Sequence, residues 1–215
     1  MPKIITLYAI SGLGADHRVF QYLDLNADII HLHWIQPQKE ESLKQYAHRL
    51  AEKIDTSEPF GLIGVSFGGL IATEIAKKLN PKFTILISST DLKNGLRQVY
   101  GWVGRLGVVE LIPPTGFRIP KMLANYLFGA KNEKLLSDIL DDSDFNFTKW
   151  AVISLTKWKN DEPLDNVLKI NGTKDLLIPG SNDSQTLIIE NGTHFMVVDR
   201  ADEVSEKINS YLNQA

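Results

Sequence analysis

The sequence predicts an α/β fold, a parallel β-sheet with helices on both faces, and three observations carry that expectation. Short apolar runs of strand length alternate with helix-length segments from Lys3 to Ser88, the pattern of βαβ units joined by right-handed crossovers. The runs are apolar almost throughout rather than alternating, as required when helices cover both faces of a sheet. One run passes straight into a helix through Gly64-Val65-Ser66-Phe67-Gly68-Gly69, where small residues let strand and helix nearly touch.

The elements follow in order. Lys3–Ala9 reads as the first strand, followed by a glycine loop, Ser11-Gly12-Leu13-Gly14. A helix is expected from Asp16 to Leu23, with Asp16 near its cap. Asp28–His33 reads as a second strand. Ser42–Ile54 places Leu43, Tyr46, Ala47, Leu50 and Ile54 at helical spacing behind a serine cap. Phe60–Val65 is the third strand and Ser66–Leu79 the third helix, ended by Asn80-Pro81. Phe83–Ser88 is the fourth strand.

The rhythm then breaks. No convincing strand lies between Asp91 and Asn160, and Val99–Ile112, Ile119–Phe128, Asn132–Leu140 and Asp144–Lys157 read as apolar or helical stretches. This block, residues 91–160, is expected to be a helical cap inserted into a core of residues 1–90 and 161–215. It is too apolar to stand free in water and should fold down on the sheet. The sheet resumes with Val167–Asn171 and Thr186–Glu190, and a last helix spans Asp202–Leu212.

Bulk composition narrows the function. A chain of 215 residues suits one domain, or one with an insertion. Net charge is −3 with acids and bases mixed, and no basic stripe points to nucleic acid. The absence of cysteine removes disulfides, thiolate metal sites and a cysteine nucleophile, and fits a reducing compartment. The apolar run Ile4–Ile10 is too short for a membrane span and too near the start for a secretory signal. A cytoplasmic protein with no membrane partner is the expectation. Asn171-Gly172-Thr173 and Asn191-Gly192-Thr193 match glycosylation sequons but read as turn chemistry.

Ser66 is the strongest candidate for chemistry. A bare G-x-S-x-G arises by chance in roughly one chain of this length in fifteen, so its position at a strand-to-helix turn matters more than its letters. Such a turn lifts the hydroxyl toward a cleft and aims a helix N-terminus, with its free N–H groups, at the same point. A serine nucleophile needs a base, and the base needs an orienting acid. In open α/β sheets these groups collect at the C-terminal ends of the strands. Asp175 follows the fifth strand and His194 the sixth.

With these residues the chain resembles the α/β-hydrolase superfamily over nearly its whole length outside the insertion. The loop Ser11-Gly12-Leu13-Gly14-Ala15-Asp16, the elbow at Ser66, the segment Gly172-Thr173-Lys174-Asp175 through Ile178-Pro179, and Gly192-Thr193-His194-Phe195 carry the resemblance. It implies Ser66 as nucleophile, His194 as base and Asp175 as acid. It also implies an oxyanion hole from the backbone N–H groups of Leu13 and Phe67. The implied architecture is the three-layer α/β-hydrolase fold with a trimmed, all-parallel six-stranded sheet in order 2-1-3-4-5-6. Two strands usual at the start of relatives are absent, and Gly180–Gln185 is expected to be a loop where relatives carry a helix. Relatives often begin the early loop with His-Gly, and here Ser11 stands in the histidine's place.

The expected activity is cleavage of a small, rather apolar carboxylic ester, with no cofactor or metal. Thioesterase, lactonase or C–C bond hydrolase and lyase chemistry would use the same residues, and a non-catalytic ligand-binding protein is a further alternative. Asp91, just past the fourth strand, is the rival acid. Trp102, Trp150 and Trp158 either line an acyl pocket or glue the cap to the sheet, with Trp150 and Phe195 expected near the pocket. His17 is expected on a helix surface. His31 and His33 alternate on a strand without an acidic partner at ligand spacing, so a metal site is not expected there. Asp141-Asp142-Ser143-Asp144 lacks the glycine and distal glutamate of a calcium loop and reads as a helix cap. Gly12-x-Gly14 lacks the third glycine and the acidic strand end of a dinucleotide fingerprint.

Overall fold

The computed structural model describes residues 4–179 and 183–214. Six strands, β1 (Thr6–Ile10), β2 (Asp28–His31), β3 (Phe60–Val65), β4 (Phe83–Ile87), β5 (Val167–Gly172) and β6 (Thr186–Ile189), form one sheet in the order β2-β1-β3-β4-β5-β6. Every pairing is parallel, as the sequence predicts. Lys3, the expected start of β1, lies outside the described residues.

Burial explains the strand composition. All six residues of β3 and all five of β4 are buried, because helices cover both faces. Period-2 geometry sends Tyr8, Ile10 and Leu62 to one face and Leu7, Ala9 and Ile63 to the other. On the first face pack α1 (Leu43–Leu50) and α2 (Phe67–Leu79), and on the second pack Val19, Phe20 and α9 (Ala201–Leu212). Helix α1 starts with a reciprocal capping box between Ser42 and Gln45. Helix α2 is buried from Phe67 to Ala76 and anchors the centre of the sheet.

The expected helix from Asp16 to Leu23 is only a 3₁₀ turn, His17–Phe20, capped by the Asp16 side chain. Two apolar residues, Val19 and Phe20, are its whole buried face, too little to hold a longer helix. The final helix is preceded by a separate short one, α8 (Met196–Asp199). Between β5 and β6, Gly180–Asn182 lie outside the described residues, and Asp183–Gln185 form a turn.

Between β4 and β5 run α3 (Gln98–Leu106), α4 (Val108–Leu111), α5 (Lys121–Phe128), α6 (Glu133–Asp141) and α7 (Phe145–Lys157). Asp144 caps α7 by accepting from Asn146 and Phe147 N–H groups, and Asp142 pairs with Arg18 at 2.8 Å. The inner faces of this block pack on the sheet layers through Phe147, Ala151, Leu136 and Ile139. Its outer face departs from the expectation of burial: Trp102, Leu106, Leu111, Met122 and Tyr126 stay exposed.

Candidate active site

Ser66 stands between β3 and α2, at the N-cap of the helix, with φ 53° and ψ −121°, a backbone conformation that L-residues rarely adopt. Close approach makes it possible. A Cβ at Gly64 would lie 2.6 Å from the Gly69 Cα, and one at Gly68 would lie 2.1 Å from the Ser11 carbonyl oxygen. The elbow is tied from β4: Ser66 N–H donates to the Ile87 carbonyl at 2.9 Å, and the Ser89 hydroxyl donates to the Ser66 carbonyl at 2.7 Å.

The structure brings the three expected side chains into succession. His194 Nε2 lies 2.8 Å from Ser66 Oγ. On the other side of the ring, Nδ1 lies 2.8 Å from Asp175 Oδ2 and 3.0 Å from Oδ1. Asp175 Oδ1 also accepts the Leu177 and Ile178 N–H groups at 2.8 and 2.9 Å, which fixes the carboxylate in the turn after β5. His194 is held by its own loop: its carbonyl accepts the Ser88 hydroxyl at 3.1 Å, and Phe128 meets its ring edge-on at 5.4 Å. Both His194 and Asp175 are buried.

Leu13 and Phe67 both line the cavity at Ser66. Phe67 is the first residue of α2, where an N–H has no intrahelical acceptor. Among the described residues no backbone carbonyl outside the helices and strands takes either N–H. The loop carrying Leu13 is pinned by Ser11, whose hydroxyl donates to the Ala15 carbonyl at 2.8 Å. The Trp34 indole donates to the same carbonyl at 2.9 Å. Ser11 therefore braces this turn from within. Its burial and its partner are tertiary facts that one residue letter does not carry. Ser88 and Ser89 were likewise missed; the only sequence signal is their position directly after a strand beside the elbow.

Asp91 is engaged elsewhere. Its Oδ1 pairs with Lys169 Nζ at 3.0 Å inside the protein, and its Oδ2 accepts the Leu164 N–H at 3.0 Å. Asp175, not Asp91, is the acid that reaches the imidazole.

The cavity that opens at Ser66 has a volume of about 430 Å³, within the range of small-molecule sites. Val65, Val99, Val103, Leu136, Ile139, Val152 and Phe195 contribute to its wall. Its other polar side chains are engaged already: Tyr100 Oη donates to the Leu177 carbonyl at 3.1 Å and Thr156 Oγ1 to the Ile153 carbonyl at 2.8 Å. Burial pushes the Tyr100 phenol above its usual value, so it remains a neutral donor.

Phe195 lines the cavity at Ser66, but Trp150 does not. Its ring packs behind the elbow against Tyr46 at 4.4 Å and Phe67 at 6.0 Å, and its Nε1 donates to the Glu41 carbonyl at 2.8 Å. Helix α7 instead turns Val152 and Leu155 toward the cavity. Trp158 is buried and donates to Glu74 of α2 at 2.8 Å, joining the two segments. Trp102 is 66% exposed.

His17, His31 and His33 meet at ring separations of 5.8 and 6.2 Å. Among the described residues no group of three or more His, Cys, Asp or Glu is placed to hold a metal ion. None of their helices is long and apolar enough to cross a membrane.

No family model and no curated protein sequence matches the chain. Solved structures do. A lipase-esterase related protein from Clostridium acetobutylicum superposes with a TM-score of 0.70 at 18% identity, covering 95% of this chain and 93% of that one. A hydrolase from Oleispira antarctica gives 0.74 at 14% identity, over 100% and 93%. The RedJ thioesterase of a prodiginine pathway in Streptomyces coelicolor gives 0.68 at 13% identity, over 96% and 89%. With the strand order, the parallel sheet and this likeness together, the fold is that of the α/β-hydrolases.

Proposed function

We propose that this protein is a serine hydrolase that cleaves small, apolar carboxylic esters through an acyl-enzyme on Ser66. The observation that carries the reading is the unbroken succession from Ser66 Oγ through His194 to Asp175, both contacts at 2.8 Å, at the mouth of an apolar cavity. His194 Nε2 takes the Ser66 proton as Oγ attacks the ester carbonyl, then delivers it to the leaving alkoxide. Asp175 holds the imidazole in the tautomer that presents a free Nε2 and stabilises the imidazolium when it forms. The Leu13 and Phe67 N–H groups receive the charge that develops on the carbonyl oxygen. Water then attacks the acyl-enzyme with His194 again as base, and Ser66 is regenerated.

The cavity supports an acyl group without polar substituents. The Tyr100 and Thr156 hydroxyls have given their protons to backbone carbonyls, so a buried acceptor group on the acyl chain would find no side-chain donor there beyond the Ser66–His194 pair, at a cost of about 1–3 kcal/mol, and a buried charge would cost more. A thioester is the second reading, favoured by the likeness to the RedJ thioesterase, because a thiolate leaves by the same route.

Steady-state turnover of a panel of p-nitrophenyl esters and acyl thioesters tests both. Ser66→Ala should lower turnover of the preferred substrate by at least about a thousandfold and abolish labelling by a fluorophosphonate probe. Residual activity within tenfold of the parent, under ~1.4 kcal/mol of barrier, would remove Ser66 from the chemistry.

A further inference from the structure

Among the described residues sixteen large apolar side chains are exposed, and ten of them fall between Val99 and Tyr126. Such a concentration is unusual for a surface that faces only water. The side chains fall on helical stripes. On α3, Val99, Trp102 and Leu106 recur at three- and four-residue spacing, and on α5 Met122 and Tyr126 do the same. Leu111 and Met122 are each 85% exposed and protrude from the surface.

The charge carried by this stretch is mainly basic, although Lys121 is paired with Asp141 at 2.5 Å. From Leu92 to Lys131 the chain carries six Lys and Arg and a single acid, Glu110, although the whole protein is net negative. That acid is already paired with Lys157 at 2.5 Å. Arg97, Arg105 and Arg118 are exposed within the same stretch.

We propose that this face is a docking surface for an anionic lipid interface. Exposed Trp and Tyr beside protruding Leu and Met suit the boundary between headgroups and acyl chains. The basic residues supply attraction to an anionic surface. A second copy of the chain fits less well, because a two-fold contact would set this basic face against itself. The location adds a purpose: Val99 and Ile119, both more than a third exposed, also line the cavity at Ser66. Docking there brings the cavity rim to the layer from which an apolar acyl group would enter.

Co-sedimentation of the full chain with vesicles tests this, one set of phosphatidylcholine alone and one with phosphatidylglycerol added. Binding to the anionic set, a blue shift of Trp102 emission and release at high salt are expected. The double variant Arg105→Glu/Arg118→Glu should bind the anionic vesicles at least tenfold more weakly, and Trp102→Ser/Leu106→Ser should weaken binding at all salt concentrations. Thermal melts confirm that both variants remain folded. Ser66→Ala should bind as the parent does, so failure of the hydrolase reading and failure of docking are distinguishable. Absence of binding to anionic vesicles, equal binding by the charge-reversed variant, or a dimer in lipid-free solution that already shields Trp102 would overturn the proposal.

Discussion

The acid beside His194 shows how much one residue's surroundings decide. Asp175 and Asp91 both follow a strand at the same end of the sheet, and the residue types are identical. Asp175 is anchored by two backbone N–H groups and faces the imidazole. Asp91 is neutralised by Lys169 in the interior. The two substitutions should therefore separate. Asp175→Asn is expected to lower kcat by about 10³–10⁴-fold with little change in a urea melt. Lys169→Met strands a buried carboxylate and should cost about 3–5 kcal/mol of stability, read as a lower urea midpoint. The Lys169→Met protein that remains folded should turn over within a few-fold of the parent. A large kcat loss there, with stability unchanged, would restore Asp91 as a candidate for the relay.

At the scale of elements, β2 is an edge of the sheet and ends at His31, short of the expected His33, with the His17 ring 5.8 Å away. Burial holds the His31 imidazole below its ordinary value of 6.5, and the positive potential of His17 and His33 adds to that. The folded chain thus binds this proton less readily than the unfolded chain. Stability contributed by neutral His31 is present above pH 6.5 and declines as pH falls through the window just beneath it. His48 on α1, lowered by burial and by Lys78, acts in the same direction. His31→Phe should flatten the decline between pH 6.5 and 5 in thermal melts. It should keep the packing on Phe20, whose ring centre lies 5.6 Å from that of His31. An unchanged acid slope would assign the pH dependence to other groups. The elements themselves were legible because their apolar periods are unambiguous. Asp16–Leu23 was not, since a capping aspartate and a few apolar residues suit one turn as well as two.

For the whole molecule, the meeting of the sheet with the helices after β4 creates the cavity, which on the proposed function would set the acyl group. Val152 is half-buried on α7 and contributes to the wall. Val152→Phe should fill part of the space and move the preferred ester toward shorter chains, with about tenfold loss on the longest good substrate. An unaltered chain-length profile would place the acyl group elsewhere. The outer face of the same helices lay beyond the sequence reading. An apolar helix in a sequence is ordinarily taken as buried, and a search for spans finds only segments that cross a bilayer, not those that rest on one.

The sequence by itself determined the order of the strands and main helices along the chain, the strand order in the sheet through its family resemblance, and Ser66 and His194 as side chains that meet. It could do so because period-2 and period-3.6 patterns are local, and because strand ends in a parallel sheet must gather at one edge. Tertiary structure alone decided that Asp175 rather than Asp91 reaches His194. It also decided that Trp150 lies behind the elbow while Val152 faces the cavity, and that the stripes on α3 and α5 stay uncovered. Periodicity tells which side of a helix is apolar. What that side packs against depends on residues far away in the chain, and only their positions in space settle it.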